Sequence, residues 1–180
     1  NRGIQANWHN ITFERIKKYL SKEIEHLDYA CGSGSLIGLY SSANSTGIDI
    51  SSKQVKYASK KYGDRGDFYK LEEFEFDNKE EKYDIITVIG LVEFLNQDEN
   101  LQVINKLHKI LKPSGTLILT TPNFNTSMYV LDVIVNFFGP VSYKSEHLSK
   151  FNEKKLRNLL TSSNFDQIEI DKFINFPVFF

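Results

Sequence analysis

The sequence predicts an α/β fold, namely an open, doubly wound and mostly parallel sheet with helices on both faces. Segments typical of strands and helices alternate along most of the 180 residues. The run Tyr83–Ile89 is almost continuously apolar, which is typical of a central parallel strand buried on both faces. A strand predicted at Glu25–Tyr29 leads into a glycine turn at Gly32–Gly34 and then into a helix.

Length and composition indicate one globular domain, residues 1–180, with a single core. The chain is 41% hydrophobic and 25% charged, and its net charge of −1 does not favour nucleic acid as a partner. Cys31 is the one cysteine, which excludes an intrachain disulfide and fits a reducing compartment. The first residues show no signal-peptide pattern, and no apolar run approaches about 20 residues. We therefore expect a cytoplasmic monomer or homodimer, and we do not expect membrane contact.

Hydrophobic spacing predicts the elements in order. The predicted strands are Glu25–Tyr29, Ser45–Ile50, Gly66–Leu71, Tyr83–Ile89, Thr116–Thr121 and Phe165–Ile174. The predicted helices are Ile11–Ser21, Ser35–Ser41, a third from the cap Ser51 to Gly63, a fourth after Asn96 and a fifth after Asn152. Only six residues follow the sixth strand, so a seventh strand would be short or missing.

Capping residues mark the ends of three helices. Ser51 with Gln54, and Asn96 with Glu99, have the three-residue spacing of a capping box. Asn164 can take the left-handed conformation that often ends a helix. In addition, the run 112–115, Lys-Pro-Ser-Gly, predicts a turn before the fifth strand.

The stretch from residue 25 to residue 50 predicts a nucleoside-binding corner. Glycines 32 and 34 let a ligand approach the backbone, and Asp49, at the tip of the second strand, can accept hydrogen bonds from ribose hydroxyls. The dinucleotide pattern G-x-G-x-x-G is not met, because the third glycine, Gly38, comes one place late. Asp28 would repel a pyrophosphate but suits a cationic group, such as the ammonium of S-adenosylmethionine.

These residues carry a resemblance to a known family. Residues 27–34, Leu-Asp-Tyr-Ala-Cys-Gly-Ser-Gly, are similar to the first motif of class I S-adenosylmethionine-dependent methyltransferases, with Ala30 where the family often has glycine. The Leu-Lys-Pro-Ser-Gly run at 111–115 is also similar to the family. Residues 121–123, Thr-Pro-Asn, resemble the subgroup that methylates quinone precursors, sugars and other small molecules. The resemblance implies a Rossmann-like class I fold, S-adenosylmethionine as cofactor and a small-molecule methyl acceptor.

The resemblance also implies site residues. The expected cofactor-binding residues are Asp28, Ala30, Cys31, Gly32, Gly34, Asp49, Ile50, Glu72, Ile89, Gly90 and Leu91. Glu72 would accept a hydrogen bond from the adenine amino group, although a solvated acidic loop explains the same sequence. Cys31 is expected to pack under the turn and not to act as a nucleophile. The expected substrate contacts are Glu93, Asn123 and Tyr143.

Two segments are expected to cover the site. The resemblance implies that the leading helix within residues 1–24 covers the cofactor pocket, with Trp8 as a candidate pocket residue, although packing against the sheet explains most of it. Residues 124–151 lie where the family inserts its substrate cover. Within them Met128–Phe138 is apolar on nearly every side, which favours burial or contact with a ligand or partner.

Methyl transfer needs few catalytic residues, because the methyl carbon is already activated and the protein mainly aligns the reactants. A general base is needed only when the acceptor keeps its proton. His147 is the candidate for that base, and a loop histidine with only local hydrogen bonds is the alternative. The four histidines are scattered without the paired spacing of metal ligands, so no metal is expected.

Four other functions compete with that of a small-molecule methyltransferase. A nicotinamide-dependent oxidoreductase needs the third glycine in place and no acid before the loop. A non-catalytic S-adenosylmethionine-binding module would fit a missing seventh strand and Phe94, which stands where similar enzymes often have histidine. A membrane-associated enzyme would use Met128–Phe138 and the Phe-rich tail to contact lipid. A nucleic-acid amino methyltransferase is disfavoured, because 89–92 reads Ile-Gly-Leu-Val and lacks the expected Pro-Pro-aromatic sequence.

Overall fold

Strands and helices alternate in the computed structural model, which describes residues 4–124 and 148–173. The helices are α1 Ile4–Lys17, α2 Ser35–Tyr40, α3 Ser52–Tyr62, α4 Gln97–Ile110 and α5 Glu153–Ser162. The strands are β1 Glu25–Tyr29, β2 Asn44–Asp49, β3 Asp67–Lys70, β4 Tyr83–Ile89 and β5 Leu111–Thr120. Single 3-10 turns occupy Leu71–Glu73 and Val92–Phe94.

The five strands form one sheet in the order β3-β2-β1-β4-β5. β1 pairs in parallel with both β2 and β4, and β2 pairs in parallel with β3. The strand order reverses between β1 and β4, and ligands of such sheets bind at the carboxyl ends of the strands flanking that reversal. Asp28 lies in β1 near this end, opposite Gly47 of β2 and Thr87 of β4.

Burial confirms that β4 is a central strand. Its adjacent residues Ile85 and Ile86 point to opposite faces, and both are buried, as are Tyr83 and Val88. Both faces of β4 are therefore covered, as the apolar run predicts. The predicted bounds of β1 and β4 match the structure at both ends.

Backbone contacts divide the chain into two compact units. The first comprises residues 1–89, 109–118 and 173–180, and the second comprises residues 90–108 and 119–172. In the first unit, one cluster of buried side chains joins α1 to α2 and β4 through Ile16, Leu36 and Ile85. A second cluster joins α2 to α3 and β3 through Ile37, Ala58 and Phe68. The prediction of one domain, with residues 1–24 as a cap and 124–151 as a cover, stays a prediction.

The first predicted helix has the wrong bounds. α1 begins at Ile4 and ends at Lys17, whereas the hydrophobic spacing predicts Ile11–Ser21. After Lys17 the chain turns, because the Leu20 amide bonds to the Lys17 carbonyl at 3.1 Å. Leu20 is buried by this turn. Its spacing therefore reflects core packing rather than continuation of the helix.

The sixth predicted strand is also wrong where the structure describes it. Phe165–Phe173 forms no strand, and most of its side chains are exposed or half-buried. The alternation of apolar residues is compatible with a strand, but a strand also needs a neighbour to share its backbone hydrogen bonds. The Gln167 amide bonds instead to the Asp166 carboxylate at 2.8 Å. The residues after Phe173, where a seventh strand would start, lie outside the described residues.

The turn predicted at 112–115 falls within the bounds of β5. A Cβ atom added at Gly115 would come within 2.8 Å of the Leu111 side chain and 3.0 Å of the Lys112 carbonyl oxygen. The backbone therefore bends tightly at residues 111–115, although β5 already begins at Leu111. The Lys112 ammonium bonds to Asp84 of β4 at 2.7 Å.

Candidate cofactor site

The loop between β1 and α2 has an unusual backbone. Ala30, Gly32 and Gly34 have φ angles of 64°, 53° and 74°, in the left-handed region that favours glycine. Inside the loop, the Gly34 amide bonds to the Cys31 carbonyl at 3.0 Å, and the Cys31 amide bonds to the Ile48 carbonyl at 3.0 Å. A Cβ atom added at Gly32 would meet no atom within 4 Å. The loop therefore presents open space where a ligand can approach its backbone.

Asp49 holds this loop from the end of β2. Its Oδ2 accepts a hydrogen bond from the Gly32 amide at 2.8 Å, and its Oδ1 accepts one from the Ser51 amide at 2.8 Å. Ser51 in turn caps α3 by accepting from the Gln54 amide at 3.4 Å. Only one of the two bonds of the predicted capping box therefore forms, namely that from the Gln54 amide to Ser51. The second bond would join the Ser51 amide to the Gln54 side chain, but that amide bonds to Asp49 instead.

Asp28 is the second carboxylate of the corner. It is only 3% exposed, and Thr87 Oγ1 donates a hydrogen bond to its Oδ1 at 2.7 Å. Burial raises the pKa of Asp28 to about 7, with a further increase from the charge of Asp49, while the bond from Thr87 acts in the opposite direction. Because the charge of Asp49 acts on Asp28, the structure brings the two predicted acids together at one corner.

Cys31 packs as the sequence predicts. Its side chain is buried in the cluster with Ile37, Val55 and Phe68. Burial raises the pKa of the Cys31 thiol far above its usual range, and the charges of Asp28 and Asp49 raise it further. The thiol therefore stays protonated, which does not suit a nucleophile.

Ile50 follows β2 and is 82% exposed, so an apolar surface stands beside Asp49. Glu72 lies in the turn after β3, where its side chain is 73% exposed and forms an ion pair with Lys70. This is the arrangement of a solvated acidic loop, and an adenine contact by Glu72 stays a prediction.

At the end of β4, Ile89 is half-buried, and Gly90 has a φ angle of 63°. The Gly90 amide bonds to the Thr120 carbonyl at 3.1 Å. Leu91 then precedes the 3-10 turn that begins at Val92. The left-handed angle at Gly90 gives this position the same preference for glycine as Gly32 and Gly34.

The second unit contains the predicted substrate residues Glu93 and Asn123. Glu93 is 4% exposed, and burial raises the pKa of its carboxyl group. A hydrogen bond from the Thr121 side chain lowers this pKa, although the geometry leaves Glu93 Oε2 without a well-formed bond among the described residues. Asn123 is half-buried. The structure thus leaves a buried acceptor on Glu93 that a substrate group could use.

Asn100 positions the Glu93 turn, a role that the sequence analysis missed. Its side-chain amide donates to the carbonyl oxygens of Val92 at 3.0 Å and Leu95 at 3.1 Å. Ser149 adds a bond from its amide to the Glu93 carbonyl at 3.0 Å. Asn100 lies one turn after the cap Asn96, and its contacts depend on how the chain folds back.

Several predicted features lie outside the described residues. These are the candidate base His147, the substrate candidate Tyr143 and the apolar run Met128–Phe138. Trp8 lies in α1, half-buried, with its ring 4.8 Å from that of His9.

His26 is the main residue of the corner that the sequence analysis did not single out. It is fully buried in β1, where it bonds to Thr87 and Ser45. A histidine at an inward-facing position of an apolar strand could have indicated a buried polar contact. Its partners could not be named, because they lie on other strands.

A parallel sheet with an open glycine loop after β1 and an acid at the end of β2 defines a nucleoside-binding α/β protein of the Rossmann-like class. Residues 6–170 match the family described as "Methyltransferase domain", and the chain belongs to this family. This match confirms the predicted membership of a methyltransferase family. None of the helices in the described parts of the chain has the length and apolar character needed to cross a membrane.

A curated relative is similar in sequence. The chain is 29% identical over 175 residues to the ubiquinone biosynthesis O-methyltransferase of Rickettsia conorii, covering 92% of this chain. It spans 58% of the length of that relative.

Solved structures share the fold. The magnesium protoporphyrin IX methyltransferase of Synechocystis PCC 6803, solved with bound SAH, matches with a TM-score of 0.66 at 20% identity, covering 86% of this chain and 72% of that one. A SAM-dependent methyltransferase of Archaeoglobus fulgidus matches with a TM-score of 0.65 at 17% identity, covering 87% and 69%. These similarities confirm the predicted Rossmann-like fold.

Proposed function

We propose that this chain transfers a methyl group from S-adenosylmethionine to a small-molecule acceptor by direct displacement. The observation that carries the proposal is the corner in which Asp28 and Asp49 flank the open backbone at Gly32. Membership of a methyltransferase family supports the reaction. The name of the Rickettsia relative supports an oxygen acceptor on a quinone precursor.

In this proposal, each part of the corner holds one part of the cofactor. Asp49 accepts hydrogen bonds from the ribose hydroxyls with the lone pairs that Gly32 and Ser51 leave free. Asp28 pairs with the amino group of the cofactor's methionine portion, and Ile50 offers an apolar surface to the adenine. When bound, S-adenosylmethionine supplies a methyl carbon activated by its sulfonium, so the chain has to orient the acceptor and exclude water.

The substrate side of the proposal involves Glu93, Asn123, Tyr143 and His147. Glu93 can accept a hydrogen bond from an acceptor hydroxyl through its unpartnered Oε2. His147 would take the acceptor's proton if the acceptor reacts from its neutral form. With His147→Ala we expect turnover of a neutral phenol to fall by about 10²-fold or more, with little change for an acceptor that is already ionised. Equal turnover by both enzymes on a neutral phenol would remove the base role.

Calorimetric titration tests cofactor binding directly. We expect S-adenosylmethionine and S-adenosylhomocysteine to bind, and oxidised and reduced nicotinamide dinucleotides not to bind. Asp49→Asn should weaken binding by about 10- to 100-fold, because hydrogen bonds to a charged group contribute about 1.5–3 kcal/mol. Asp64→Asn, an exposed acid after α3, is the matched control and should bind normally. Unchanged affinity in Asp49→Asn would contradict the proposed site.

A non-catalytic binding module is the alternative, and transfer assays distinguish it. Labelled S-adenosylmethionine would be incubated with phenols, catechols, amines and sugars, and product formation measured for each. Transfer to one of these acceptors supports an enzyme, whereas tight cofactor binding with no transfer to any would favour the module.

The proposal extends to a cytoplasmic protein that is a monomer or homodimer. The buried, protonated thiol of Cys31 is compatible with a reducing compartment. Light scattering on the eluted protein would determine the oligomeric state, and fractionation of cells would determine the location.

A further inference from the structure

Five buried side chains form a continuous chain of hydrogen bonds that links β1, β4 and the residues around the start of β2. We call this chain the His26 network, and its members, none more than 3% exposed, are Asp28, Thr87, His26, Ser45 and Ser41. Thr87 Oγ1 lies 2.7 Å from Asp28 Oδ1 and 3.0 Å from His26 Nε2. On the other side of the imidazole ring, Nδ1 lies 3.0 Å from Ser45 Oγ, which lies 2.8 Å from Ser41 Oγ.

Among the residues that the structure describes, few other titratable groups face this network. Asp49 approaches Asp28 from the end of β2, and the protonated thiol of Cys31 approaches it from the loop. β4 contributes only the hydroxyl of Thr87 to Asp28. At the far end, the guanidinium of Arg65 donates to the backbone carbonyl of Ser41 at 2.9 Å. Burial lowers the pKa of His26 to about 3, so its ring is neutral and carries one proton.

When Asp28 is ionised, the donor and the acceptor of each hydrogen bond from Asp28 to Ser45 are fixed. The carboxylate can only accept, so Thr87 gives it its single hydroxyl proton. The Thr87 oxygen must then accept from His26, which places the ring proton on Nε2. The bare Nδ1 accepts in turn from the hydroxyl of Ser45.

A protonated Asp28 reverses the direction. Its carboxyl group now donates to Thr87, whose own proton turns to Nε2 of His26. The ring proton then sits on Nδ1 and is donated to Ser45. The hydroxyl of Ser45 has a second acceptor for its proton, the Ala43 carbonyl oxygen at 3.3 Å. Every donor therefore finds an acceptor in both directions.

We propose that His26 is a positioning residue for the cofactor site, whose tautomer is coupled through Thr87 to the charge of Asp28. The Nε2–H tautomer accompanies the ionised carboxylate, and the Nδ1–H tautomer accompanies the neutral acid. One proton enters or leaves Asp28 from solvent, and the ring stays neutral while its proton changes nitrogen. The identity of the ligand rests on the proposed function: the ammonium group of S-adenosylmethionine at Asp28 would fix the Nε2–H tautomer.

Nitrogen-15 NMR of the histidine rings tests the coupling without any ligand. We expect the two ring nitrogens of His26 to exchange their protonated and unprotonated shifts as the pH rises from 5.5 to 8.5. The loss of one signal in His26→Gln assigns the resonances, and His9 and His108 serve as internal references. In Asp28→Asn the tautomer should be independent of pH. A single tautomer of His26 throughout this range in the wild-type protein would overturn the proposal.

A matched pair of variants tests the link through Thr87. Thr87→Val keeps the size of the side chain but removes its hydroxyl, and Thr87→Ser keeps the hydroxyl. Thr87→Val should weaken S-adenosylmethionine binding about tenfold at pH 7 and less at pH 9, because the charged form of Asp28 loses its donor. Thr87→Ser should bind nearly as the wild type does. An equal loss at every pH in Thr87→Val would show a merely structural role and contradict the proposal.

Titration with S-adenosylmethionine at pH 6 separates this inference from the proposed function. Binding together with a change of His26 to the Nε2–H tautomer supports both. Binding without a change of tautomer overturns the inference alone. A tautomer that responds to pH in a protein that binds no S-adenosylmethionine supports the coupling and contradicts the proposed function.

Discussion

At the scale of single residues, Asp28 combines two conflicting requirements. It is buried without a cationic side chain bonded to it among the described residues, yet the proposed ligand needs it ionised. Its pKa of about 7 shows that the folded chain alone favours the neutral acid below neutral pH. Binding and stability therefore make opposite demands on this one carboxyl group.

Replacing Asp28 should stabilise the ligand-free protein. The rise in the pKa of Asp28 from 3.8 to about 7 penalises the ionised form only in the folded state, so the stability from this group falls as the pH rises from about 4 to 7. The shift corresponds to at most roughly 4 kcal/mol. Urea denaturation should show Asp28→Asn gaining stability relative to wild type across this window. A constant difference from pH 4 to 8 would contradict the expectation.

The effect of replacing His26 on the stability of the protein should depend on pH in the opposite direction. Its pKa is lowered from 6.5 to about 3, so the unfolded chain takes up a proton first and stability falls as the pH drops from about 6.5 towards 3. His26→Gln removes this loss. In the same denaturation series it should therefore improve relative to wild type on acidification, whereas Asp28→Asn should improve on going to neutral pH.

Ala30 shows what a residue pattern can and cannot reveal. The sequence motif placed it correctly in the loop, but its left-handed φ angle of 64° depends on how the loop is folded. Asp28 and Asp49 could be found because each lies at the end of a predicted strand. The partners of His26 could not, since Ser45 and Thr87 lie 19 and 61 residues away in the chain.

Substituting glycine for Ala30 should raise stability. An alanine in the left-handed region loses roughly 1–2 kcal/mol relative to its preferred conformation, and glycine removes most of that cost while adding about 0.5–1 kcal/mol of chain entropy. We expect Ala30→Gly to raise the free energy of unfolding by up to about 1 kcal/mol. Ala58→Gly, in the middle of α3, is the matched control and should lower it.

At the scale of elements, the sequence-based predictions are correct where the residues that determine the structure lie within the same short segment. The Asn96 cap of α4 forms as a full capping box, with bonds of 2.8 and 2.9 Å between Asn96 and Glu99. Asn164 takes its predicted left-handed angle of 65° after α5. The prediction of strand six was wrong because strand pairing depends on a neighbour outside the segment, and Phe165–Phe173 pairs with no strand in the described part of the chain.

The contact of α2 with α3 depends on Gly38. A Cβ atom added there would lie 2.2 Å from the ring of Tyr62, which is buried. Gly38→Ala should destabilise the protein by roughly 1–3 kcal/mol, although alanine favours the helix by up to about 1 kcal/mol. In a protein that already carries Tyr62→Ala, Gly38→Ala should instead stabilise the fold, because the clash is gone and alanine favours the helix. A double-mutant cycle measures this difference. Additive effects of the two substitutions would contradict the contact.

At the scale of the whole molecule, the cofactor corner lies within the unit that contains β1 to β4 and α1 to α3. The loop is held to β2 by Asp49, and the same unit carries the clusters around Leu36 and Ile37. A ligand bound to Asp49 and Gly32 is therefore tied to the strands and helices around it. We expect binding to stabilise the fold and not only to order the loop.

A thermal shift measures this coupling. With S-adenosylmethionine at 100 times its Kd, the folded state should gain roughly 2.7 kcal/mol at 25 °C, and the Tm should rise with ligand concentration. Asp49→Asn should show a smaller rise at the same concentration. NADH at the same concentration should leave the Tm unchanged, and an equal rise with both compounds would contradict a specific site.

Cys31 is a natural probe for local opening of the glycine loop. It is the sole cysteine of the chain, it lies in the glycine loop, and its sulfur is enclosed by the neighbouring helices and strands. A thiol-labelling reagent can reach it only when that region opens, so the labelling rate measures how often the loop separates from the core. No engineered probe is needed. A cofactor that closes the corner should slow the reaction in proportion to its occupancy.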